Sequence, residues 1–171
     1  MFTVADARRF AVELFTQSAM LKAQRSTSAT LDADVLLQRF LNKPRAWLFA
    51  HDDADISSIR AVFCAAVERR CTGLPIAYIT GEKDFWGLPF YVTTDVLIPK
   101  PDTELLVERS LAIVREKAAA LPPDRPFFIL DPCTGSGCVA ISLLHTLEAE
   151  GIKNSSCIAI DISPAALAIA R

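Results

Sequence analysis

The amino-acid sequence predicts an α/β chain in which a small helical bundle precedes the first strands of a doubly wound parallel sheet. Residues 1–72 repeat apolar side chains at helical intervals, and residues 73–100 are interrupted by glycine and proline. The apolar runs Phe127–Leu130 and Cys157–Ile160 are each followed by a turn and a helical pattern. Because alternation of strand and helix is typical of parallel strands joined by right-handed crossovers, we expect two such strands here.

The composition argues against several classes of protein. Apolar residues make up 51% of the chain and charged residues 22%, which is too apolar for a disordered segment. A net charge of −2 argues against a protein that neutralises phosphates over a broad surface, so a nucleic-acid partner is not expected. No apolar run has the length of a membrane span, and the first residues lack the layout of a signal peptide. We therefore expect a cytoplasmic protein with no membrane partner.

The cysteines do not predict a metal site or a disulfide framework. There are five of them, an odd number, and none lies in a CxxC pair. The chain also has only two histidines to complete a zinc site. We expect free thiols in a reducing compartment, and no bound metal.

Residues 1–72 are interpreted as a helical N-terminal domain, because start and stop signals divide them into helices. Short polar side chains cap helix starts, the residue before a proline avoids helical backbone, and glycine favours helix ends. Four helices are expected: one capped by Thr3 and running through Met20, one capped by Thr30 and broken at Lys43-Pro44, one over Arg45–Ala50, and one opened by Ser57 or Ser58 and ending near Gly73.

Residues 73–100 are expected to form a hairpin-containing linker between two domains. Asp84–Trp86 and Phe90–Val92 flank Gly87-Leu88-Pro89, which predicts two strands joined by a three-residue loop. A third extended run, Val96–Ile98, ends at a proline.

Residues 101–171 are predicted to start a second domain that is incomplete. Its expected elements are a helix from Asp102-Thr103 to Pro122-Pro123, a strand over Phe127–Leu130, a helix from Cys138 to about Glu148, a strand over Cys157–Ile160, and a helix capped by Ser163 with Pro164 at its first position. The unbroken apolar run of the first strand predicts burial on both faces. Because two strands do not make a stable sheet of this kind, we expect the N-terminal part of a longer protein.

The segment between the first strand and its helix, Asp131-Pro-Cys-Thr-Gly-Ser-Gly137, is the strongest functional signal. Gly135 and Gly137 permit a tight turn and let a ligand approach the backbone closely. Asp161 ends the second strand, where a carboxylate can accept hydrogen bonds from both ribose hydroxyls of a nucleoside cofactor.

Two classes of cofactor fit this segment. Gly135-Ser-Gly-Cys-Val-Ala140 matches the G-x-G-x-x-A form of the dinucleotide fingerprint, which keeps NAD or FAD open. An acid four positions before the first glycine, as in D-x-x-x-G-x-G, is typical of folds that bind S-adenosylmethionine. In those folds the loop backbone surrounds the amino-acid part of the cofactor, and Asp131 would reach its ammonium group. The pattern favours S-adenosylmethionine.

Three blocks of sequence carry a resemblance to a known family. The first is Gly73-Leu-Pro-Ile-Ala-Tyr-Ile-Thr-Gly81 with Phe85-Trp-Gly-Leu-Pro-Phe-Tyr-Val92, and the second is Val96-Leu-Ile-Pro-Lys-Pro-Asp-Thr-Glu104. The third is the glycine segment with Asp161-Ile-Ser-Pro-Ala-Ala-Leu167 behind it. Together they resemble the release-factor glutamine methyltransferases of the HemK/PrmC type, whose VLIPRP-[DE]-TE signature the second block approaches.

The resemblance implies a Rossmann-like S-adenosylmethionine-dependent methyltransferase fold, truncated here after two strands. It implies transfer of a methyl group to the N5 amide of a glutamine in peptide chain release factors, which regulates translation termination. The helical domain would help dock the release factor. The cofactor-binding positions that it implies are Asp131, Cys133, Thr134, Gly135, Ser136, Gly137, Asp161, Thr103, Glu104 and Leu97.

Two residues depart from the family pattern. Lys100 stands where the family has arginine, which keeps the charge but loses bidentate hydrogen bonding. Cys133 stands where the loop usually begins with glycine. The family's catalytic Asn-Pro-Pro-Tyr motif follows a later strand, so no catalytic residue is predicted in this chain. We expect the 171 residues alone to be inactive.

Three other interpretations remain open from the residues. Nucleic-acid adenine-N6 methyltransferases share the same catalytic motif, although they would need a basic target-recognition domain. The glycine segment could instead belong to the dinucleotide-binding module of an oxidoreductase. A non-enzymatic interaction protein, in which the helical bundle binds a partner, is the third.

Overall fold

The computed structural model describes residues 1–24, 28–120, 122 and 125–171. These residues form two compact units, Met1–Thr80 and Gly81–Arg171. The first unit is helical, and the second combines helices with two small sheets, so the chain is a mixed α/β protein. None of the described helices is long and apolar enough to cross a membrane. The division into a helical N-terminal domain, a linker and a second domain, with boundaries at residues 72 and 100, stays a prediction.

The first unit contains six α-helices within its described residues. They are α1 (Val4–Gln17), α2 (Ala19–Gln24), α3 (Ala29–Leu41), α4 (Arg45–Ala50), α5 (Arg60–Cys71) and α6 (Ile76–Thr80). A 3₁₀ turn over Ser57–Ile59 leads into α5. Helix α1 packs on α3 and α5. The core between them is built from fully enclosed apolar side chains, among them Val4, Ala7, Leu36, Leu37, Phe63 and Val67.

Several of the predicted helix boundaries are confirmed. Thr3 caps α1 in a reciprocal capping box with Asp6, and α4 has the predicted limits. Helix α5 ends at Cys71 as expected, two residues before the left-handed Gly73, but it begins at Arg60 after the 3₁₀ turn, so neither Ser57 nor Ser58 caps it.

Three expectations about the first unit are wrong. Helix α1 ends at Gln17, and a separate helix α2 contains Met20. Ser28, rather than Thr30, caps α3, because its hydroxyl accepts a hydrogen bond from the Leu31 amide. The short helix α6 was not predicted, since its five residues have no start or stop signal beyond Pro75.

A buried ion pair links α3 to α5. Arg70 is 1% exposed, and its Nε donates to Oδ2 of Asp32 over 2.8 Å. Its Nη1 donates to the side chain of Gln24 and to the carbonyl of Leu74, each over 3.1 Å. One guanidinium therefore fixes three segments of the first unit by satisfying acceptors that the core would otherwise leave unpaired.

The second unit contains two sheets and three helices within its described residues. Its elements are β1 (Glu82–Phe85), β2 (Leu88–Tyr91), α7 (Pro101–Ala120), β3 (Phe127–Pro132), α8 (Cys138–Ala149), β4 (Ser155–Ile160) and α9 (Pro164–Ile169). Strands β1 and β2 pair antiparallel, and β3 pairs parallel with β4 in the register Ile129 to Cys157. The parallel pair joined through α8 is the predicted arrangement, and Ser163 caps α9 with Pro164 at its first position as expected.

The hairpin differs from its prediction. Its turn has two residues, Trp86 and Gly87, and both are left-handed, with φ of 56° and 72°. Two left-handed residues match the right-handed twist of the strands, so Leu88 and Pro89 join β2 instead of forming a three-residue loop. The run Val96–Ile98 is not a strand.

Other elements of the second unit begin or end a few residues away from their predicted limits. Helix α7 begins at Pro101, and β3 and β4 each extend two residues beyond their predicted limits, to Pro132 and from Ser155. The predicted end of α7 at Pro122-Pro123 falls partly outside the described residues.

One face of the parallel pair is uncovered, so the expected burial of both faces is wrong for the described chain. Helix α8 packs against both strands and covers the side that holds Ile129 and Cys157. Phe128 and Leu130 point the other way and are 69% and 60% exposed. The apolar run identifies the strand correctly, but burial depends on neighbours that the run does not encode.

The buried ion pair gives a test of the first unit. We expect Asp32→Ala to lower the free energy of unfolding by about 3–5 kcal/mol, because it leaves the enclosed Arg70 guanidinium without its carboxylate. Urea unfolding in a Trp86→Phe background would measure it, since Trp47 then reports on the first unit alone.

The matched control is the exposed pair Arg9–Asp6, whose side chains are 72% and 44% exposed. Arg9→Ala removes a pair that water screens, so we expect a change of about 0–1 kcal/mol. Equal losses in the two variants would contradict the role of burial.

Candidate functional site

The segment after β3 folds into a tight turn built on left-handed backbone. Cys133, Gly135 and Gly137 have φ of 64°, 57° and 76°. The Gly137 amide donates to the Thr134 carbonyl over 2.9 Å, and the Thr134 amide donates to the Ile160 carbonyl over 2.9 Å. The turn is therefore closed on itself and attached to the end of β4, and α8 begins directly after it.

Asp161 holds this turn in place. Its Oδ2 accepts from the Gly135 amide over 2.9 Å, and its Oδ1 accepts from the Ser163 amide over 3.0 Å. The amides of Ser163 and Gly135 favour the carboxylate form and hold the pKa of Asp161 below its usual range. A single ionised side chain thus joins the turn after β3 to the start of α9.

Thr134 links the turn to the end of β3. Its hydroxyl donates to Oδ2 of Asp131 over 2.7 Å, and the Thr134 residue is 5% exposed. Ser136 is also buried, at 4% exposure. Thr134 and Ser136 are therefore enclosed, and the accessible part of the turn is Cys133 together with the half-buried Gly135.

Gly135 and Gly137 have different surroundings. A Cβ built on Gly135 would meet no heavy atom within 4 Å, so this position borders open space. A Cβ on Gly137 would lie 3.1 Å from Cδ1 of Ile141 and 3.3 Å from Cβ of Ala170. Gly135 leaves room beside the turn for a ligand, whereas Gly137 lets α8 and the end of α9 pack closely.

The three predicted cofactor-binding positions before β3 take no part in the hydrogen bonds of the turn after β3. Leu97 is 72% exposed in the irregular segment before α7, and Thr103 and Glu104 are half-buried in its first turn. Oε1 of Glu104 accepts from the amide of Trp86 over 2.9 Å. Among the ten predicted positions, Thr134 is hydrogen-bonded to Asp131, and Gly135 is hydrogen-bonded to Asp161. Glu104 instead accepts a hydrogen bond from the hairpin turn.

The sequence reasoning missed two residues that shape this region. Trp86 donates its indole N–H to Oγ1 of Thr146 over 3.0 Å, which ties the hairpin to α8. Ser163 supplies the second amide to Asp161. A short polar residue two positions after an aspartate is a signal for such a local turn, whereas no local pattern indicates the contact between Trp86 and Thr146.

The titratable side chains near the turn do not group around a cation. Within the described ranges no three histidine, cysteine or acidic side chains converge as metal ligands. Burial raises the pKa of the Cys138 and Cys157 thiols, so both are protonated at neutral pH. The polar groups around the turn are backbone amides, the carboxylates of Asp131 and Asp161, and the hydroxyls of Thr134 and Ser136.

Comparisons with known proteins agree with the predicted resemblance. Residues 14–81 match the family described as the PrmC N-terminal domain. The chain is 44% identical over 129 residues to a release factor glutamine methyltransferase of Haemophilus influenzae, an alignment that covers 75% of this chain and 44% of that protein. It is 37% identical over 170 residues to one of Vibrio cholerae, which covers 99% of this chain and 53% of that protein.

The Escherichia coli protein of the same name is 34% identical over 156 residues, which is 91% of this chain and 52% of that protein. The chain therefore spans about half the length of the curated relatives that it matches. These matches confirm the resemblance to release-factor glutamine methyltransferases.

The lowered pKa of Asp161 predicts a pH dependence. Because the folded-state pKa lies below the usual value of 3.8, the carboxylate adds stability that is complete above that value and lost as the pH falls through the folded-state pKa. We expect the difference in unfolding free energy between wild type and Asp161→Asn to be constant above about pH 5 and to shrink below it.

The measurement is urea unfolding at several pH values in a Trp47→Phe background, where Trp86 reports on the second unit. Glu148→Gln, at an exposed position of the same unit, is the control. A difference for Asp161→Asn that does not change with pH would contradict the interpretation.

The left-handed backbone of Cys133 gives a second prediction for the turn. A side chain at a φ of 64° is strained, and Cys133 is exposed, so glycine relieves the strain without leaving a cavity. We expect Cys133→Gly to be more stable than Cys133→Ala by about 1 kcal/mol, because alanine keeps the Cβ. Urea unfolding followed through Trp86 would detect it, and equal stabilities would show that the turn tolerates the Cβ.

Proposed function

Starting from this resemblance, we propose that the chain is the N-terminal portion of an S-adenosylmethionine-dependent methyltransferase that modifies a glutamine of peptide chain release factors on N5. The alignment over 170 residues with a protein of that name is the observation that carries the proposal. The polar turn after β3 supports it, since it lies at the carboxyl ends of two parallel strands, where ligands bind in open α/β sheets. We propose that the second unit starts a Rossmann-like methyltransferase fold.

The donors and acceptors around the turn suit S-adenosylmethionine. A carboxylate has about four lone-pair sites, so Asp161 can accept from ribose hydroxyls in addition to two backbone amides. The open space beside Gly135 leaves room for the amino-acid part of the cofactor, and Asp131 offers a negative charge to its ammonium group.

The cofactor would supply the methyl group, and this chain's residues would bind and orient it. Asp161 and Asp131 would hold its two ends, and the accessible backbone at Cys133 and Gly135 would lie along it. Leu97 and Thr103 are proposed at its edge by their position in the family. Glu104 acts there indirectly in our proposal, because one of its oxygens already accepts from the hairpin turn.

The proposed division of labour follows the sequence. Residues 1–72 would dock the release factor, residues 73–100 would connect the domains, and residues 101–171 would begin the cofactor-binding domain of a cytoplasmic enzyme. The 171 residues contain no Asn-Pro-Pro-Tyr motif, so the group that positions the substrate amide is assigned outside them.

The proposal is tested by calorimetry on a protein that carries these residues and extends to the length of the relatives. We expect it to bind S-adenosylmethionine more tightly than NAD. Asp161→Ala should weaken that binding by about 2–4 kcal/mol, because two hydrogen bonds to a charged acceptor are lost. Asp53→Ala, at an exposed position of the first unit, should leave it unchanged.

Methyl transfer from labelled S-adenosylmethionine to a release factor tests the activity itself. We expect the extended protein to label a glutamine and the 171-residue chain to label none. Tighter binding of NAD, or an extended protein that transfers no methyl group, would refute the proposed function.

A further inference from the structure

A second buried aspartate in the first unit, Asp34, forms ion pairs with two arginines. The Asp34 side chain is fully enclosed, and its Oδ1 accepts from Nε of Arg8 over 2.7 Å. Its Oδ2 accepts from Nε of Arg45 over 3.0 Å. Helices α1, α3 and α4 thereby meet at one carboxylate, with two guanidinium groups beside each other.

An exposed aromatic ring lies against both guanidiniums. The ring centroid of Phe49 is 4.9 Å from Cζ of Arg8 and 5.4 Å from Cζ of Arg45. Phe49 is 59% exposed, so it contributes little to the core of the unit. We call the outward side of Arg8, Arg45 and Phe49 the arginine–phenylalanine surface.

The arginine–phenylalanine surface has more positive charge than Asp34 neutralises and more hydrogen-bond donors than its carboxylate accepts from. Two guanidiniums share one carboxylate, which leaves a net charge of about +1. Nη2 of Arg8 is enclosed and has no acceptor among the residues that the structure describes. The Arg45 side chain is 51% exposed and has only its Nε committed to Asp34. An enclosed donor without an acceptor costs free energy, so a new acceptor at this place would stabilise the site.

Arg70 in the same unit shows a different arrangement around a buried aspartate. Arg70 is 1% exposed and donates to three acceptors of the chain, Asp32 among them, without an exposed ring beside it. One arginine is enough to neutralise Asp32. At Asp34 the additional guanidinium and the exposed ring instead form a polar and apolar surface that faces solvent.

We infer that the arginine–phenylalanine surface docks a largely apolar segment of the substrate protein, one that places a single carboxylate beside an apolar side chain. The exposed nitrogens of Arg45 would bind the carboxylate through paired hydrogen bonds, and the Arg8 guanidinium, whose Cζ is 4.9 Å from the centroid of the Phe49 ring, would add positive charge beside it. The apolar side chain would pack on the ring. This inference rests on the proposed function, because it takes the substrate to be a release factor.

The charges nearby favour a protein segment over a nucleic acid. The exposed residues Asp52 and Asp53 come directly after α4, and the chain as a whole has a net charge of −2. A nucleic acid brings one phosphate per nucleotide, so its neighbouring phosphates would meet these carboxylates. A single carboxylate within an otherwise apolar segment would not.

The test measures how tightly a purified release factor binds the 171-residue chain, by fluorescence anisotropy. We expect Arg45→Gln and Phe49→Ala each to weaken binding about ten-fold, since a buried guanidinium or aromatic contact at an interface is commonly worth that much. Arg9→Gln is the matched control, because it removes the same charge from an exposed position of α1 and should change affinity less than about two-fold. Affinity should also fall as salt rises.

Each outcome decides the inference. Equal binding by wild type, Arg45→Gln and Phe49→Ala would overturn it while leaving the proposed function standing, as would no binding of the release factor by the wild-type chain. The proposed function is judged separately by cofactor binding and methyl transfer in the extended protein. A single-stranded RNA that binds wild type and loses affinity in the same two variants would also overturn it, because the surface would then serve nucleic acid. Phe49→Ala removes an exposed ring, so it keeps the test valid if Arg45→Gln does not fold.

Discussion

The parallel pairing of β3 with β4 decides where the polar groups of the second unit lie. Parallel neighbours need a crossover, and α8 supplies it, so both strands end at the same edge of the sheet. That edge brings the turn after β3 within hydrogen-bond distance of Asp161 at the end of β4. An antiparallel pairing would have separated the two by the length of a strand. The candidate site is therefore a consequence of strand direction first and of residue type second.

Helix α3 has the corresponding importance in the first unit. Asp32 and Asp34 are two positions apart, so they point about 200° apart around the helix axis. Each is buried and each meets arginine from a different neighbour: α5 on one side, α1 and α4 on the other. A helix that carries two buried carboxylates on opposite sides cannot rotate about its axis without breaking one set of ion pairs. This fixes its orientation more strictly than apolar packing alone.

The sequence predicts those features whose cause is local. Thr3 and Ser163 cap helices because their own hydroxyls reach amides three residues away, and both were foreseen. The two-residue hairpin turn is not predicted, because Trp86 takes a left-handed conformation that is uncommon for a bulky side chain, and its amide donates to Glu104, eighteen residues away in the chain. The sequence likewise places Asp161 at a strand end. It does not predict the hydrogen bond from the Gly135 amide to Asp161, because the two residues are 26 positions apart in the chain. The burial of β3 depends on which neighbours cover it, and a strand's own residues do not encode them.

The contrast between Gly135 and Gly137 has a consequence for how the turn can change over evolutionary time. Both are left-handed, so a codon change to asparagine or aspartate is the mildest available to either. At Gly135 the added Cβ would meet no heavy atom within 4 Å, so such a change would leave the packing of the unit as it is. At Gly137 the Cβ would push against Ile141 and Ala170, so more of the protein would be unfolded and open to degradation in the cell. Two glycines that look alike in the sequence thus differ in what a substitution costs the fold.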